Sequence, residues 1–331
     1  MGLTVIAHRG ASGERPEHTR SAYLLAIEQG ADFIEPDLVM SRDGALVVRH
    51  ENEISETTDV AEHPEFAARK TIRTIEGRQV SGWFTEDFTL AELKTLRAKE
   101  RLPKLRPDSV QYDGQDEILT FAEVAAIARE ATARTGRTIG VYPELKHQAW
   151  FTSLGFDPET ALVDALTTLG WVGKDAPVFV QCFEVGPLER LNRRIDAPLI
   201  QLMSAEGGPA DRPGLTYAAM ATAVGLKAVA AYADGVGVEK TMVIPRDAEA
   251  RSLATTALAA DAHAAGLLVH IWTMRAENHF LPLERRRGLT GSSDYPRLHG
   301  DLAGEIEAFR AAGVDGVFAD FPAIAASVRD R

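Results

Sequence analysis

The chain has 331 residues, 45% of them hydrophobic and 25% charged, an ordinary balance for a globular protein with a large core. Its formal net charge of −12 argues against a nucleic-acid partner, because proteins that bind the phosphate backbone usually carry a basic surplus. The one cysteine, Cys182, cannot form an internal disulfide, and within VFVQCF it is predicted to be a small core residue. The length allows either two domains or one α/β barrel with insertions.

The N-terminal segment reaches its first apolar run by Leu3 without a charged leader, so no signal peptide is predicted. We therefore expect a soluble, cytoplasmic protein, or a periplasmic one if a leader has been removed. The longest weakly charged stretch, residues 213–233, contains Lys227 and is rich in alanine, glycine and threonine. It is predicted to form a loop and a buried helix, so we expect no membrane insertion.

Strand-like and helix-like segments alternate along the chain, a pattern typical of βα units around a parallel sheet. The predicted barrel strands are residues 4–8, 33–38, 138–145, 178–183, 198–203, 234–239, 267–273 and 315–320. The predicted helices between them include residues 21–30, 121–134, 158–170, 253–266 and 305–313. Eight such units predict a (β/α)8 TIM barrel.

Two segments depart from this repeat. Residues 45–52 follow SRDG, a turn too short for a crossover helix, so they should pair back on the second strand as a β-hairpin. Residues 51–118 hold many charged and turn-forming residues with scattered apolar ones. We predict that they form an insertion capping the C-terminal mouth of the barrel, within a single domain that spans residues 1–331.

Two histidines stand where predicted strands end. His8 ends the first strand, and the hairpin should return His50 towards the second. Because the C-terminal ends of barrel strands meet at one mouth, the two imidazoles are candidates for a general acid and a general base. The other seven histidines, including His147 and His270, are predicted to be structural.

Acidic residues also lie at these strand ends. Glu35 and Asp37 are two apart in a strand, so their side chains should project from the same face, and Glu144 ends the third strand. Three carboxylates without a nearby cysteine predict a hard-oxygen site for Ca²⁺ or Mg²⁺; ion pairs with solvent contact are the alternative. Arg9 and Lys146 stand close by in sequence and could neutralise a phosphoryl oxygen.

Several segments carry a resemblance to a known family: HRGASGERPEHT, IEPDLVMSRDGALVVRHE, YPELK, VQCFE, YADGVG, LVHIWT and GVDGVFADFP. In order and spacing, from His8 to Pro322, they resemble the glycerophosphodiester phosphodiesterase family. PEHT, YPELK, VQCF and the long insertions are most similar to the periplasmic, calcium-dependent branch of Gram-negative bacteria.

The resemblance implies metal-dependent hydrolysis of small-molecule glycerophosphodiesters, such as glycerophosphocholine and glycerophosphoethanolamine, to sn-glycerol 3-phosphate and an alcohol, through a cyclic phosphate. It implies Ca²⁺ first and Mg²⁺ second. The implied acid/base pair is His8 and His50, and the implied metal ligands are Glu35, Asp37 and Glu144. The implied phosphate contacts are Arg9 and Lys146, and the implied pocket lining is Gln181, Phe183 and Trp272. Pro36 within E-x-D, and Trp272 where that branch often has tyrosine, are departures that concern pocket shape.

Two other functions remain open from the sequence. A barrel that cleaves intact phospholipids, of the phospholipase C/D-like type, would need an apolar rim facing the membrane, for which Trp83, Phe84 and Phe88 are the best candidates. A barrel that binds a polyol phosphate without turnover would be expected to lack one of the histidines or carboxylates.

Overall fold

The structure, a computed structural model, describes residues 2–331. Its strands are β1 (Thr4–His8), β2 (Phe33–Glu35), β3 (Asp37–Met40), β4 (Leu46–Val48), β5 (Thr71–Ile75), β6 (Arg78–Gly82), β7 (Gly140–Val141), β8 (Glu144–Leu145), β9 (Val180–Cys182), β10 (Leu199–Met203), β11 (Gly235–Glu239), β12 (Leu268–Met274) and β13 (Gly316–Ala319). Its α-helices are α1 (Arg20–Glu28), α2 (Leu90–Leu93), α3 (Pro107–Val110), α4 (Phe121–Thr135), α5 (Gln148–Ser153), α6 (Pro158–Leu169), α7 (Val185–Leu191), α8 (Tyr217–Met220), α9 (Ala223–Val229), α10 (Leu258–Ala264), α11 (Leu302–Ala311) and α12 (Pro322–Arg329).

The strands close into a ring of parallel neighbours, which confirms the predicted TIM barrel. β1 pairs with β13 on one side and with β2 on the other. The ring continues from β2 to β7 and from β3 to β8, and then through β9, β10, β11 and β12 back to β13. Each residue at a C-terminal strand end therefore faces the same mouth.

Two of the predicted barrel strands are each divided in two. The second strand breaks at Pro36, between β2 and β3, and the third breaks at Tyr142 and Pro143, between β7 and β8. Proline has no N–H to donate to a neighbouring strand, so continuous ladder pairing stops at these positions. Pairing resumes beyond each break, where Asp37 lies in register with Glu144.

The hairpin after the second strand is confirmed. β4 pairs antiparallel with β3, with Leu38 opposite Val48 and Met40 opposite Leu46. β4 is shorter than the predicted 45–52, because the last backbone bond to β3 is donated by Arg49 N–H to Asp37 O and residues 50–52 lie beyond the ladder. The predicted helix 253–266 is also too long: Leu253 donates to Pro245 O in a loop, and α10 begins only at Leu258.

Apolar side chains form two layers of core. The larger cluster lies between the strands and the surrounding helices. A smaller cluster fills the barrel interior with Ile6, Tyr142, Ile200 and Phe318, against which Trp272 packs. This apolar cluster fills the barrel beneath the mouth, where the polar groups lie.

Residues 51–118 form short elements rather than a second barrel layer. They contain the β5–β6 hairpin, α2, α3 and three 3₁₀ turns. The hairpin turn brings the Glu76 carboxylate to 2.7 Å from His147 Nδ1, just past β8. Within residues 2–331, no helix combines the length and the apolar composition that a membrane crossing requires.

Candidate active site

Three carboxylates meet at the mouth of the barrel. Asp37 is in register with Glu144, and Glu35 is in register with His8 on the neighbouring strand. Glu35, Asp37 and Glu144 each place an oxygen within 4.8 Å of the others, and all three side chains are buried. The strand register therefore produces the cluster that the E-x-D pair and the third strand predict.

The cluster fits a divalent cation. Asp37 Oδ1 and Glu144 Oε1 are buried and have no hydrogen-bond donor within residues 2–331. Lys146 Nζ lies 3.4 Å and 2.6 Å from these two atoms, close enough for ion pairs but without hydrogen-bond geometry. Buried carboxylate oxygens without donors are costly unless a cation satisfies them, and oxygen-only ligands suit Ca²⁺ or Mg²⁺.

Crowding of like charges is visible in the pKa values. Burial, and then the neighbouring Asp37 carboxylate, raise the pKa of Glu35 well above its usual value. Burial likewise raises the pKa of Glu144 to about 8. Burial alone would also raise the pKa of Asp37, but the Lys146 ammonium holds it well below its usual value. The protein groups alone therefore leave the cluster short of positive charge.

Two cations border this cluster. The Arg9 backbone N–H donates to Glu35 Oε2 at 2.7 Å, from a residue with φ of 60° in the turn after β1. Its guanidinium donates to Glu17 Oε2 at 3.0 Å and lies 3.3 Å from Asp37 Oδ2. Because Arg9 and Lys146 are buried beside carboxylates, their positive charges are concentrated at the mouth.

The two histidines have matching environments. His8 Nδ1 lies 2.6 Å from Asp320 Oδ1, and His50 Nδ1 forms a short contact with Glu51 Oε1. Neither Nε2 atom has a hydrogen-bond partner within residues 2–331. Burial, and then the nearby Arg9 charge, lower the pKa of His8 to about 4 and that of His50 to about 3. Both rings are thus neutral at pH 7 and can exchange a proton at Nε2.

A cavity of about 120 Å³ joins these groups. Its lining includes nine of the ten residues that the sequence singles out, namely His8, Arg9, Glu35, His50, Glu144, Lys146, Gln181, Phe183 and Trp272. Asp37 lies outside the lining, held by its contacts with Lys146 and His18.

The cavity has one polar and one apolar wall. Gln181 Nε2 donates to Glu35 Oε1 at 3.3 Å on the polar side. Phe183 and Trp272 meet edge to face with ring centroids 5.8 Å apart, and Trp272 Nε1 donates to Gly237 O. A larger groove of about 700 Å³, lined in part by Arg106, contains none of the ten residues.

Sequence reasoning missed the groups that hold the site residues. Asp320 contacts His8 and accepts a hydrogen bond from Arg106. Glu51 contacts His50 and accepts hydrogen bonds from Arg101. His18, grouped with the structural histidines, lies 2.9 Å from Asp37 Oδ2. Asp320 directly follows β13, so the strand-end argument that selects Glu144 also applies to it. No pattern in the irregular segment 101–106 indicates its two arginines.

A TIM barrel with two histidines, an acidic cluster and buried cations at its mouth is typical of enzymes that act on phosphate esters. The sequence profile of the glycerophosphoryl diester phosphodiesterase family matches residues 8–324. A glycerophosphodiester phosphodiesterase of Arabidopsis thaliana is 37% identical over 96% of this chain and 83% of its own length. One from Haemophilus influenzae is 28% identical over 96% of this chain and 87% of its own length.

Solved structures share the fold. A glycerophosphoryl diester phosphodiesterase from Silicibacter pomeroyi, described as putative, superposes with a TM-score of 0.67 at 19% identity, covering 99% of this chain and 93% of that one. An Oleispira antarctica phosphodiesterase, solved in complex with the product sn-glycerol-3-phosphate, gives a TM-score of 0.64 at 21% identity, covering 100% and 98%. The chain belongs to the glycerophosphoryl diester phosphodiesterase family.

Proposed function

We propose that the protein hydrolyses glycerophosphodiesters, such as glycerophosphocholine and glycerophosphoethanolamine, to sn-glycerol 3-phosphate and an alcohol. The observation that carries this proposal is the pair of histidines lining one small cavity with free Nε2 atoms beside Arg9 and Lys146. Family membership supports the same reaction. The relative that is 37% identical is named for this activity.

The cavity suits the glycerophosphate half of such a substrate. Arg9 and Lys146 present positive charge for the phosphoryl oxygens. Phe183 and Trp272 supply an apolar wall for the carbon chain, and Gln181 supplies an amide for a hydroxyl. Because the cavity is only about 120 Å³, the head group would extend towards solvent, so several head groups are expected to be accepted.

The chemistry would proceed in two steps. In the first, a glycerol hydroxyl forms a new P–O bond while one neutral histidine accepts its proton at Nε2. The bond to the alcohol breaks as the other histidine, which must enter the complex with the anionic diester as an imidazolium, gives its Nε2 proton to the leaving oxygen. In the second, water opens the cyclic phosphate while the histidines exchange roles. Arg9 and Lys146 would stabilise negative charge on the non-bridging oxygens.

Glu35, Asp37 and Glu144 would hold a divalent cation, which supplies further positive charge for the phosphoryl group when bound. Ca²⁺ is our first candidate and Mg²⁺ the second, by resemblance to the periplasmic, calcium-dependent branch. The relatives reported above include a plant protein as well as a Gram-negative one, so the branch remains part of the proposal.

We also propose that residues 51–118 cap the mouth. Their contacts with the barrel support this: Arg101 donates to Glu17, Arg106 donates to Asp320, and Glu76 reaches His147. A cap in this position would limit the access of water and of large lipids.

The structure offers little support for a lipid phosphodiesterase. Trp83, Phe84 and Phe88 are 7%, 0% and 0% exposed, so they pack inside the insertion and form no rim. Trp83 Nε1 also donates to Phe66 O at 2.7 Å. We therefore expect a soluble diester, rather than a vesicle surface, to be the substrate.

The test is an assay of released glycerol 3-phosphate across several head groups, with chelator and then Ca²⁺ or Mg²⁺ added back. His8→Ala and His50→Ala should each lower turnover about 100-fold or more, the usual worth of a positioned acid or base. His279→Ala, which alters an exposed histidine outside the site, is the control. Near-full activity of either site variant would refute the His/His mechanism.

Two further outcomes would separate the alternatives. Continued activity in excess chelator would remove the metal from the proposal. Calorimetric binding of glycerol 3-phosphate without cleavage of any diester would instead identify a binding protein.

A further inference from the structure

The Nδ1 atom of each histidine at the mouth contacts a carboxylate. His8 contacts Asp320, from the end of the last strand, and His50 contacts Glu51, the next residue in the chain. A carboxylate at Nδ1 keeps the proton on that nitrogen and leaves Nε2 as the atom that exchanges protons. It also fixes the ring orientation. The placement of Asp320 and Glu51 therefore decides how well both imidazoles face the cavity.

Asp320 is itself held by two arginines: Arg275 Nε donates to its Oδ2 at 3.0 Å, and the second arginine, Arg106, comes from the insertion. Arg106 Nη2 donates to Asp320 Oδ2, while its Nε donates to Glu277 Oε1 at 2.6 Å and its Nη1 to Ser12 O at 2.8 Å. Arg106 is buried, and its guanidinium joins the insertion to three separate parts of the barrel. Five directed N–H groups in one plane allow such bridging, which a lysine could not reproduce.

Glu51 is held by a second arginine from the same short segment. Arg101 Nη2 and Nη1 donate to Glu51 at 2.7 and 3.1 Å. The same guanidinium donates to both oxygens of Glu17, at 2.6 and 2.8 Å, and Glu17 accepts from Arg9. Arg101 thus links Glu51, which contacts His50, with Glu17, which accepts from the proposed phosphate contact Arg9.

We propose that Arg101 and Arg106 are positioning residues that set both histidines from a single segment, 101–106, through Glu51 and Asp320 respectively. The insertion is then part of the catalytic framework as well as a cover over the mouth. This inference rests on the proposed function, since the histidines matter only if they transfer protons. It assigns a role to residues that touch no substrate.

The activity test uses Arg101→Ala and Arg106→Ala in the full chain. Each should lower kcat about 10- to 100-fold, as expected from slight misplacement of a catalytic group, while KM stays within about threefold. Added methylguanidinium should partly restore the kcat of Arg106→Ala, because Arg106 lines the groove of about 700 Å³, from which a small cation can enter. Arg106→Lys should not restore kcat.

The matched control is Arg69→Ala. Arg69 lies in the same insertion and donates to both oxygens of Glu92, at 3.0 and 2.5 Å, without contacting either histidine's carboxylate. Losing this pair should leave kcat within about twofold of the wild type. A loss as large as that of Arg101→Ala would show that any disturbance of the insertion lowers activity, which would overturn the proposal.

A double-mutant cycle tests whether Arg106 acts through Asp320. Asp320→Asn should itself lower kcat, and adding Arg106→Ala to it should cause little further loss. If the kcat losses of the two single variants multiply in the double variant, Arg106 does not act through Asp320, and the proposal is overturned. If Arg106→Ala does not fold, the Arg101→Ala variant decides alone, because the Arg101 side chain is 21% exposed and easier to replace. An unchanged kcat in Arg101→Ala would then overturn the proposal.

A measurement without substrate separates this inference from the proposed function. ¹⁵N spectra of histidine-labelled protein should show His8 and His50 protonated at Nδ1, with that preference weakened in Arg106→Ala and Arg101→Ala respectively. If the wild type cleaves no glycerophosphodiester, the proposed function fails, but these spectra still test positioning. Unchanged tautomers in both folded variants would overturn it.

Discussion

His270 should make the protein sensitive to mild acid. Its ring lies inside the barrel, 1% exposed, with Nδ1 2.8 Å from the Tyr142 hydroxyl and Phe179 packed edge to face at 5.4 Å. Burial lowers the pKa of His270 from 6.5 to about 4. We therefore expect this histidine to remain neutral in the folded chain and to gain a proton in the unfolded chain as the pH falls.

The sign and size follow from proton linkage. Between pH 6.5 and 4 the unfolded chain binds more protons at this site, so the free energy of unfolding falls as the pH falls through that window. The full difference corresponds to about 3 kcal/mol, of which about 2 kcal/mol should already be lost at pH 5 relative to pH 8. Above about pH 7.5, where the unfolded imidazole is also almost fully deprotonated, the His270 contribution should be complete and constant.

The measurement compares urea unfolding of the wild type and His270→Gln at pH 8 and at pH 5. Glutamine retains a polar group for Tyr142 and does not titrate, so the variant should lose about 2 kcal/mol less than the wild type over this interval. His279→Gln, at an exposed site, should behave like the wild type. Equal losses in all three proteins would refute the linkage to His270.

Other predictions concern the cation, the packing and the pocket. Added Ca²⁺ should raise the melting temperature of the wild type and should not raise that of Asp37→Asn; equal shifts would place the cation elsewhere. Gly140→Ala should cost about 1–3 kcal/mol, because an added Cβ would lie 2.2 Å from the Phe33 ring, whereas Gly173→Ala, with nothing within 4 Å, should be near neutral in urea unfolding. Phe183→Ala should raise KM about tenfold with little change in kcat in the glycerol 3-phosphate assay, and an unchanged KM would remove Phe183 from the substrate wall.

The barrel could be predicted because each of its elements is locally encoded. A β-branched run such as TVIAH forms β1 as predicted, and SRDG turns the chain back into β4. The strand breaks at Pro36 and Pro143 follow from proline chemistry, but residues 33–38 and 138–145 each predict one continuous strand because of their apolar residues on both sides of the proline. Local pattern therefore identifies the strands better than it identifies their ends.

The residues that hold the two histidines in place could not be predicted in the same way. Asp320 reaches His8 across 312 residues because ring closure pairs β13 with β1. Arg101 and Arg106 lie in an irregular segment, where no periodicity relates sequence position to direction in space. Their contacts depend on how the insertion folds against the barrel, which is a tertiary property.

The charges at the mouth suggest why the product would leave. Glu35, Asp37 and Glu144 contribute three negative charges when ionised, and Arg9 and Lys146 contribute two positive ones. The paired groups around them, Glu17, Glu51, Asp320 and Glu277 with Arg101, Arg106 and Arg275, add one further negative charge. A divalent cation would bring the remaining charge from −2 to zero, so a phosphodiester monoanion would leave the mouth with one negative charge. Glycerol 3-phosphate carries close to two negative charges at pH 7, so it would be held less favourably. The same carboxylates that are proposed to hold the cation would then favour release of the product over the substrate.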